Sequence, residues 1–200
     1  MSTNYAKAET LVGTLAAPVD WTRSVGLVLG FSLLTALAAQ VVVPLPWTPV
    51  PLTGQTFAVL LTGALLGSRM GALAMLAYLA EGAVGLPFFR GGAGGVAHLA
   101  GPTAGYLFAF PVAAYVTGYL AERGWDRRFL TAAAAMALGS AVILACGWGW
   151  LTLFYRTAAE AFAAGVLPFL VGDVVKIALA AAALPAGWAI LRRTGSSRRS

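Results

Sequence analysis

Between Ser24 and Val43 the chain runs for twenty residues without a charged side chain, and apolar runs of this kind recur to its end. About 20 apolar residues are what a helix needs to cross the ~30 Å hydrocarbon core of a bilayer. Further runs lie at about Thr53–Leu66, Met70–Leu86, Tyr106–Leu120, Phe129–Phe154 and Phe169–Leu191. Only 10% of the 200 residues are charged and 60% are hydrophobic, where a soluble domain carries about 25% charged residues. These runs predict an all-α integral membrane protein of six transmembrane helices. Residues 1–23 form an interfacial N-terminal segment, 24–191 the membrane domain and 192–200 a basic tail. The apolar run Leu11–Val19 is too short to span and has no basic stretch directly before it, so it reads as interfacial rather than as a cleaved signal peptide.

The net charge of +6 is not a nucleic-acid patch, because the charges sit between apolar runs and at the ends. With six spans both termini share one side. That side collects Lys7, Arg23, Arg69, Arg123, Arg127, Arg128, Arg192, Arg193, Arg198 and Arg199, against Arg90 and Arg156 on the other. Ten against two puts the termini in the cytoplasm of a cell membrane.

The connections divide by composition. Pro44, Pro46, Pro49 and Pro51 stand within eight residues, which excludes helix and central strand and predicts a stiff extended link. Thr53 and Gln55 follow it at the mouth of the second span. Between Gly85 and Gly105 lie seven glycines with Arg90 and His98; so dense a run suits a loop that folds back over a ligand or moves. In the first span small residues recur at spacing four, as in Gly26/Gly30 and Ser32/Ala36, a pattern that lets helix backbones approach, within this chain or against a partner.

Three ionisable residues interrupt the apolar runs: Glu81, Asp173 and Lys176. Asp173 and Lys176 are three apart and share a helix face. At 1.5 Å per residue, Glu81 and Asp173 lie roughly 7 Å and Lys176 roughly 12 Å below the outer face. Charges at such depth face protein, water or ligand, and default to function over a mutual Asp–Lys lock between helices. With the Gly-rich and Pro-rich loops on the same side, they predict an outward-facing pocket for a small amphipathic ligand. One histidine (His98) and one cysteine (Cys146) exclude a conventional His/Cys metal cage and leave no credible nucleophile–base pair. No phosphate-binding loop is present, so nucleotide hydrolysis is not expected of this chain.

Four stretches then carry a resemblance that covers nearly all of the chain after Ser24. They are Pro49–Gln55 (PVPLTGQ), Gly82–Phe89 (GAVGLPFF) with its Gly-rich sequel, Gly101–Tyr106 (GPTAGY) and Pro168–Lys176 (PFLVGDVVK). Together they resemble the biotin-specific, BioY-type S components of energy-coupling-factor vitamin transporters. The resemblance implies a biotin-binding subunit with no catalytic activity and no cofactor. It would be energised by a transmembrane coupling protein and ATP-binding cassette subunits. It puts Asp173 and Lys176 in the biotin site and a further polar contact near Glu81 or Arg90. Asp173 can accept from the ureido N–H groups and Lys176 can donate to the ureido carbonyl or the valerate, while Phe88, Phe89 and Tyr106 can wall the thioether ring. Thr53 and Gln55 complete the candidate contacts, and the first-span face would meet the coupling protein. Two other readings compete: a self-sufficient proton-coupled secondary transporter using Glu81 or Asp173, and an S component for a different vitamin.

Overall fold

The computed structural model describes residues 10–15 and 20–196. Lys7, Glu9, Arg198 and Arg199 therefore lie outside the described residues. Within the N-terminal segment, α1 is a single short helix, Leu11–Leu15.

The bundle is built from α2 (Trp21–Ala38), α3 (Gln55–Leu66), α4 (Ser68–Ala83), α5 (Ala104–Ala121), α6 (Phe129–Leu151) and α8 (Leu167–Ser196), with the short α7 (Ala158–Gly165) before α8. Helix starts follow local chemistry. Asp20 accepts from the Arg23 backbone N–H at 2.8 Å and begins α2 three residues ahead of Ser24. Thr157 does the same for α7 through the Glu160 N–H at 3.2 Å. Pro111 and Pro185 lie inside α5 and α8 without ending them.

Among the described residues, four stretches are long and apolar enough to cross a membrane: α2, α5, α6 and the run through α7 and α8. α3, at 12 residues, and α4, at 16, are shorter. α3 is nonetheless interior, burying Gln55, Ala58, Val59, Leu60, Thr62, Gly63, Ala64 and Leu66. A Cβ on Gly63 would collide with the Ala114 carbonyl oxygen, so α3 and α5 meet backbone to backbone. The core runs between them through Val59, Met75, Tyr78, Phe110, Ala113, Met136, Ile143 and Leu184. Large apolar side chains such as Leu29, Leu33, Leu37, Leu73, Val112, Leu138, Val171 and Leu179 point outward, the inverse of a water-soluble protein and the arrangement lipid favours.

Among the described residues the fold departs from an all-α chain at one place. The Pro-rich link is the loop of a two-stranded antiparallel ribbon, β1 (Val42–Val43) with β2 (Leu52–Thr53), in which Val42 opposes Thr53 and Val43 opposes Leu52. The first span therefore ends at Ala38 instead of Val43, and Thr53 belongs to a strand instead of opening α3. No local pattern could announce this pairing, since its partners lie about ten residues apart. The prolines sit outside the paired residues, where no ladder N–H is needed. At the far end α8 stays helical to Ser196, past the expected end of the span at Leu191.

Residues 84–103 form a lid of turns over one end of the bundle. Gly95 N–H donates to the Gly82 carbonyl (2.7 Å) and Phe89 N–H to the Ala93 carbonyl (2.9 Å), folding the segment back onto the end of α4. Gly82 lacks a Cβ for a reason: one would run into the Phe89 ring, which is fully buried there.

Candidate functional site

Beneath the lid lies a small cavity of about 40 Å³, well below the roughly 300–1,000 Å³ typical of small-molecule sites. Val50, Pro51, Thr53, Gln55 and Thr56 bound one side, Thr103 at the end of the lid with Tyr106, Leu107 and Phe110 of α5 another, Ile143 and Leu144 of α6 and Phe169 and Asp173 of α8 a third. Arg90 and His98 come down from the lid. The walls are apolar and aromatic, with few polar groups pointing in.

Those polar groups have definite partners. Ser140 of α6 donates its hydroxyl to Oδ2 of the buried Asp173. Lys176 Nζ stands 3.8 Å from Asp173 Oδ1 and directs two donors elsewhere, to the Thr53 carbonyl (2.9 Å) and Thr56 Oγ1 (2.8 Å). An ammonium has three N–H donors, so one remains. One carboxylate oxygen and one ammonium proton therefore make no hydrogen bond, although the two groups face each other as an ion pair. The expected shared face is present, but the lysine is pulled toward the ribbon instead of locking onto its neighbour.

Around this pair, Thr53 Oγ1 donates to Gln55 Oε1 (2.9 Å) and Gln55 Nε2 donates to the Tyr78 hydroxyl (2.5 Å). Tyr106 gives its hydroxyl to the Gly165 carbonyl at 2.7 Å, so only its ring faces the pocket, tilted against Phe169 at 6.0 Å. That ring lies flush on Gly147, where a Cβ would collide with it. Arg90 Nε is buried without a hydrogen-bond partner, unusual for a donor that carries charge. His98 stacks on Phe89 at 5.0 Å, and its pKa is lowered first by burial and then by the Arg90 charge.

Of the seven sequence candidates, Asp173, Arg90, Thr53, Gln55 and Tyr106 line the pocket; Lys176 does not, although it donates to the carbonyl of Thr53, which does. Glu81 does not join them. Its carboxylate takes the Ser32 hydroxyl across the α2–α4 contact. Depth along the helix puts it at the right height, but its rotation about the α4 axis turns it to the neighbouring helix. Phe88 and Phe89 likewise pack the lid onto Tyr78 and are not wall residues. Sequence reasoning missed Thr56, His98, Thr103 and Phe110 as pocket residues, and Ser140, which does not line the pocket but holds Asp173. Only Ser140 carried a signal, as the sole hydroxyl between Thr131 and Thr152.

A multi-pass membrane protein with a lidded pocket between its helices is thus defined, and known proteins share its form. The BioY family model matches residues 6–193, and the chain belongs to the BioY family. The probable biotin transporter BioY of Pyrococcus horikoshii is 45% identical over 158 residues, 79% of this chain and 91% of that one. The biotin transporter BioY of Thermotoga maritima is 38% identical over 151 residues, 76% and 87% of the two chains. In architecture the chain is similar to the crystal structure of the S-component for biotin from an ECF-type ABC transporter. The TM-score is 0.77 at 23% identity, covering 86% of this chain and 92% of that one.

Proposed function

We propose that this protein is the biotin-capturing S component of an ATP-driven vitamin transporter. The observation that carries the reading is the ion pair between Asp173, which lines the pocket, and Lys176, 3.8 Å away beside it, each with one hydrogen-bonding position unfilled. A ureido group offers the complement, an N–H and a carbonyl on adjacent atoms. Each such charge-assisted bond in a dry site contributes about 1.5–3 kcal/mol. The thioether ring meets Tyr106, Phe110 and Phe169, and the valerate carboxylate reaches Arg90, whose Nε has no other partner. The protein supplies binding and a lid, not bond chemistry.

In this reading α2–α6 and α8 all cross the membrane and the lid faces outward. The shortness of α3 is tolerated because it and β2 are enclosed by protein, where non-spanning backbone at membrane depth keeps its hydrogen bonds. The arginine and lysine asymmetry puts both termini in the cytoplasm of the cell membrane. Of the small-residue face expected to meet the membrane coupling protein, Ser32 and Ala36 are buried within the chain, so that contact falls to the exposed Gly26, Gly30 and leucines of α2, and ATP is hydrolysed by separate cassette subunits.

The test is competition at the purified protein. Biotin should bind saturably at one site, and thiamine or riboflavin in large excess should not displace it. Displacement by another vitamin would move the assignment to that vitamin. Uptake in cells should stop when the ATPase subunits are deleted; uptake that persists without them but collapses with an uncoupler would make the protein a secondary transporter instead.

A further inference from the structure

Tyr78 is buried completely and does not line the pocket, yet it touches both lid aromatics, Phe88 and Phe89. Its ring seats both lid aromatics, Phe88 stacked at 6.4 Å and Phe89 edge-on at 5.7 Å, and also packs on Phe110 of the pocket wall at 6.2 Å. Its hydroxyl donates to the Phe88 carbonyl at 3.1 Å and accepts from Gln55 Nε2 at 2.5 Å.

The direction of each bond is forced. Gln55 Oε1 accepts from Thr53 Oγ1, so its NH₂ must face the phenol. The phenol then accepts from Gln55, and its one proton is left for the lid carbonyl. At the other end, the Thr53 carbonyl accepts from Lys176. A directed series of hydrogen bonds therefore runs from the lid backbone through Tyr78 and Gln55 to the Thr53 hydroxyl, and the backbone of Thr53, whose carbonyl accepts from Lys176, links it to the charged pair on α8. Lifting the lid breaks the Tyr78–Phe88 bond and strands a buried hydroxyl, which opposes opening. Fixing Lys176 and Thr53 with a ligand orients the Gln55 amide, which orients the phenol.

We propose that Tyr78 is a positioning residue that couples lid closure to pocket occupancy, holding the ligand by slowing its escape. This rests on the biotin reading above. The test uses the full chain with Cys146→Ala and a nitroxide at Val96→Cys, an exposed lid position. Biotin association and dissociation rates are measured for this parent and for Tyr78→Phe, Gln55→Met and the double variant. Tyr78→Phe should raise the dissociation rate about tenfold, leave association within about twofold, and abolish the immobilisation of the label by biotin. The double variant should be no worse than the worse single one, because both break one chain. Parental dissociation rate and label response in Tyr78→Phe, a loss confined to association, or additive effects in the double variant would each overturn the proposal while leaving biotin binding intact. A parent that binds no biotin would bring down the underlying reading and the proposal with it. Should Tyr78→Phe fail to purify as a folded species, Gln55→Met is read by the same rates and label response, and parental values there would overturn the proposal equally.

Discussion

The Ser140 hydroxyl donates to Asp173 Oδ2 from the helix opposite, in the interior of the bundle. With that oxygen occupied, the carboxylate presents its other oxygen toward Lys176. Ser140→Ala frees Oδ2 to rotate toward Lys176 and close the pair on itself. Biotin affinity should fall about tenfold, the loss of roughly one hydrogen bond to a charged group. Calorimetric titration measures it; unchanged affinity would mean that Asp173 needs no holding.

The pocket's acid sensitivity should come from His98. Burial and the Arg90 charge lower its pKa below the ordinary 6.5, so the folded lid favours the neutral ring. A group of this sign contributes stability that is complete above about pH 6.5 and is lost as pH falls toward the depressed folded value. Biotin affinity should hold between about pH 8 and 7 and decline below about pH 6. His98→Gln should flatten that decline. A decline that is equally steep in the variant would place the titrating group elsewhere.

At the opposite end of α5 from the pocket, Asp126 is buried and accepts from Trp188 Nε1 at 2.5 Å, while its Oδ1 has no hydrogen-bond partner. Burial raises its pKa, ahead of the opposing influence of the Trp188 bond and the Arg127 charge. Trp188→Phe removes the donor from an already under-satisfied carboxylate and should lower stability by about 1–3 kcal/mol. The thermal midpoint should drop while biotin affinity stays at the wild-type value, since nothing in this node reaches the pocket. A matching loss of affinity would show the two ends of the bundle to be coupled.

Orientation is tested by chemistry from outside the cell. In a Cys146→Ala background, a cysteine at Val96 on the lid should react with an impermeant maleimide in intact cells, and one at Arg128, between α5 and α6, should not. Labelling of both would contradict the arginine and lysine asymmetry as a guide to topology.

Much of this was legible in the sequence for physical reasons that can be named. Spans announce themselves because uninterrupted apolar length has few uses outside a membrane, and Asp173 with Lys176 because two charges three residues apart in such a run must share a face. What stayed hidden depended on rotation or on distant partners. Glu81 lies only three residues from Tyr78, yet it faces Ser32 of α2 while Tyr78 faces the lid and Gln55. Depth along the helix could be counted, but azimuth depends on how α4 packs. The β1–β2 ribbon needs Val42 to find Thr53, a pairing that no helical periodicity records. Nothing in the sequence singled out Tyr78, because its contacts lie with a carbonyl of the lid folded back upon it.

Whether Asp173 meets the ligand or merely ties helices together turns on one substitution. Asp173→Asn keeps the shape and can still accept from Ser140, but it loses the charge and can turn an NH₂ toward the ureido donors. Titration of biotin into the purified variant, with thermal unfolding recorded beside it, reads both roles at once. The expected result is a folded protein whose affinity is reduced about thirty- to a hundredfold, the loss of ~2–3 kcal/mol. Wild-type affinity in a well-folded Asp173→Asn protein would contradict a ligand-binding role for this carboxylate.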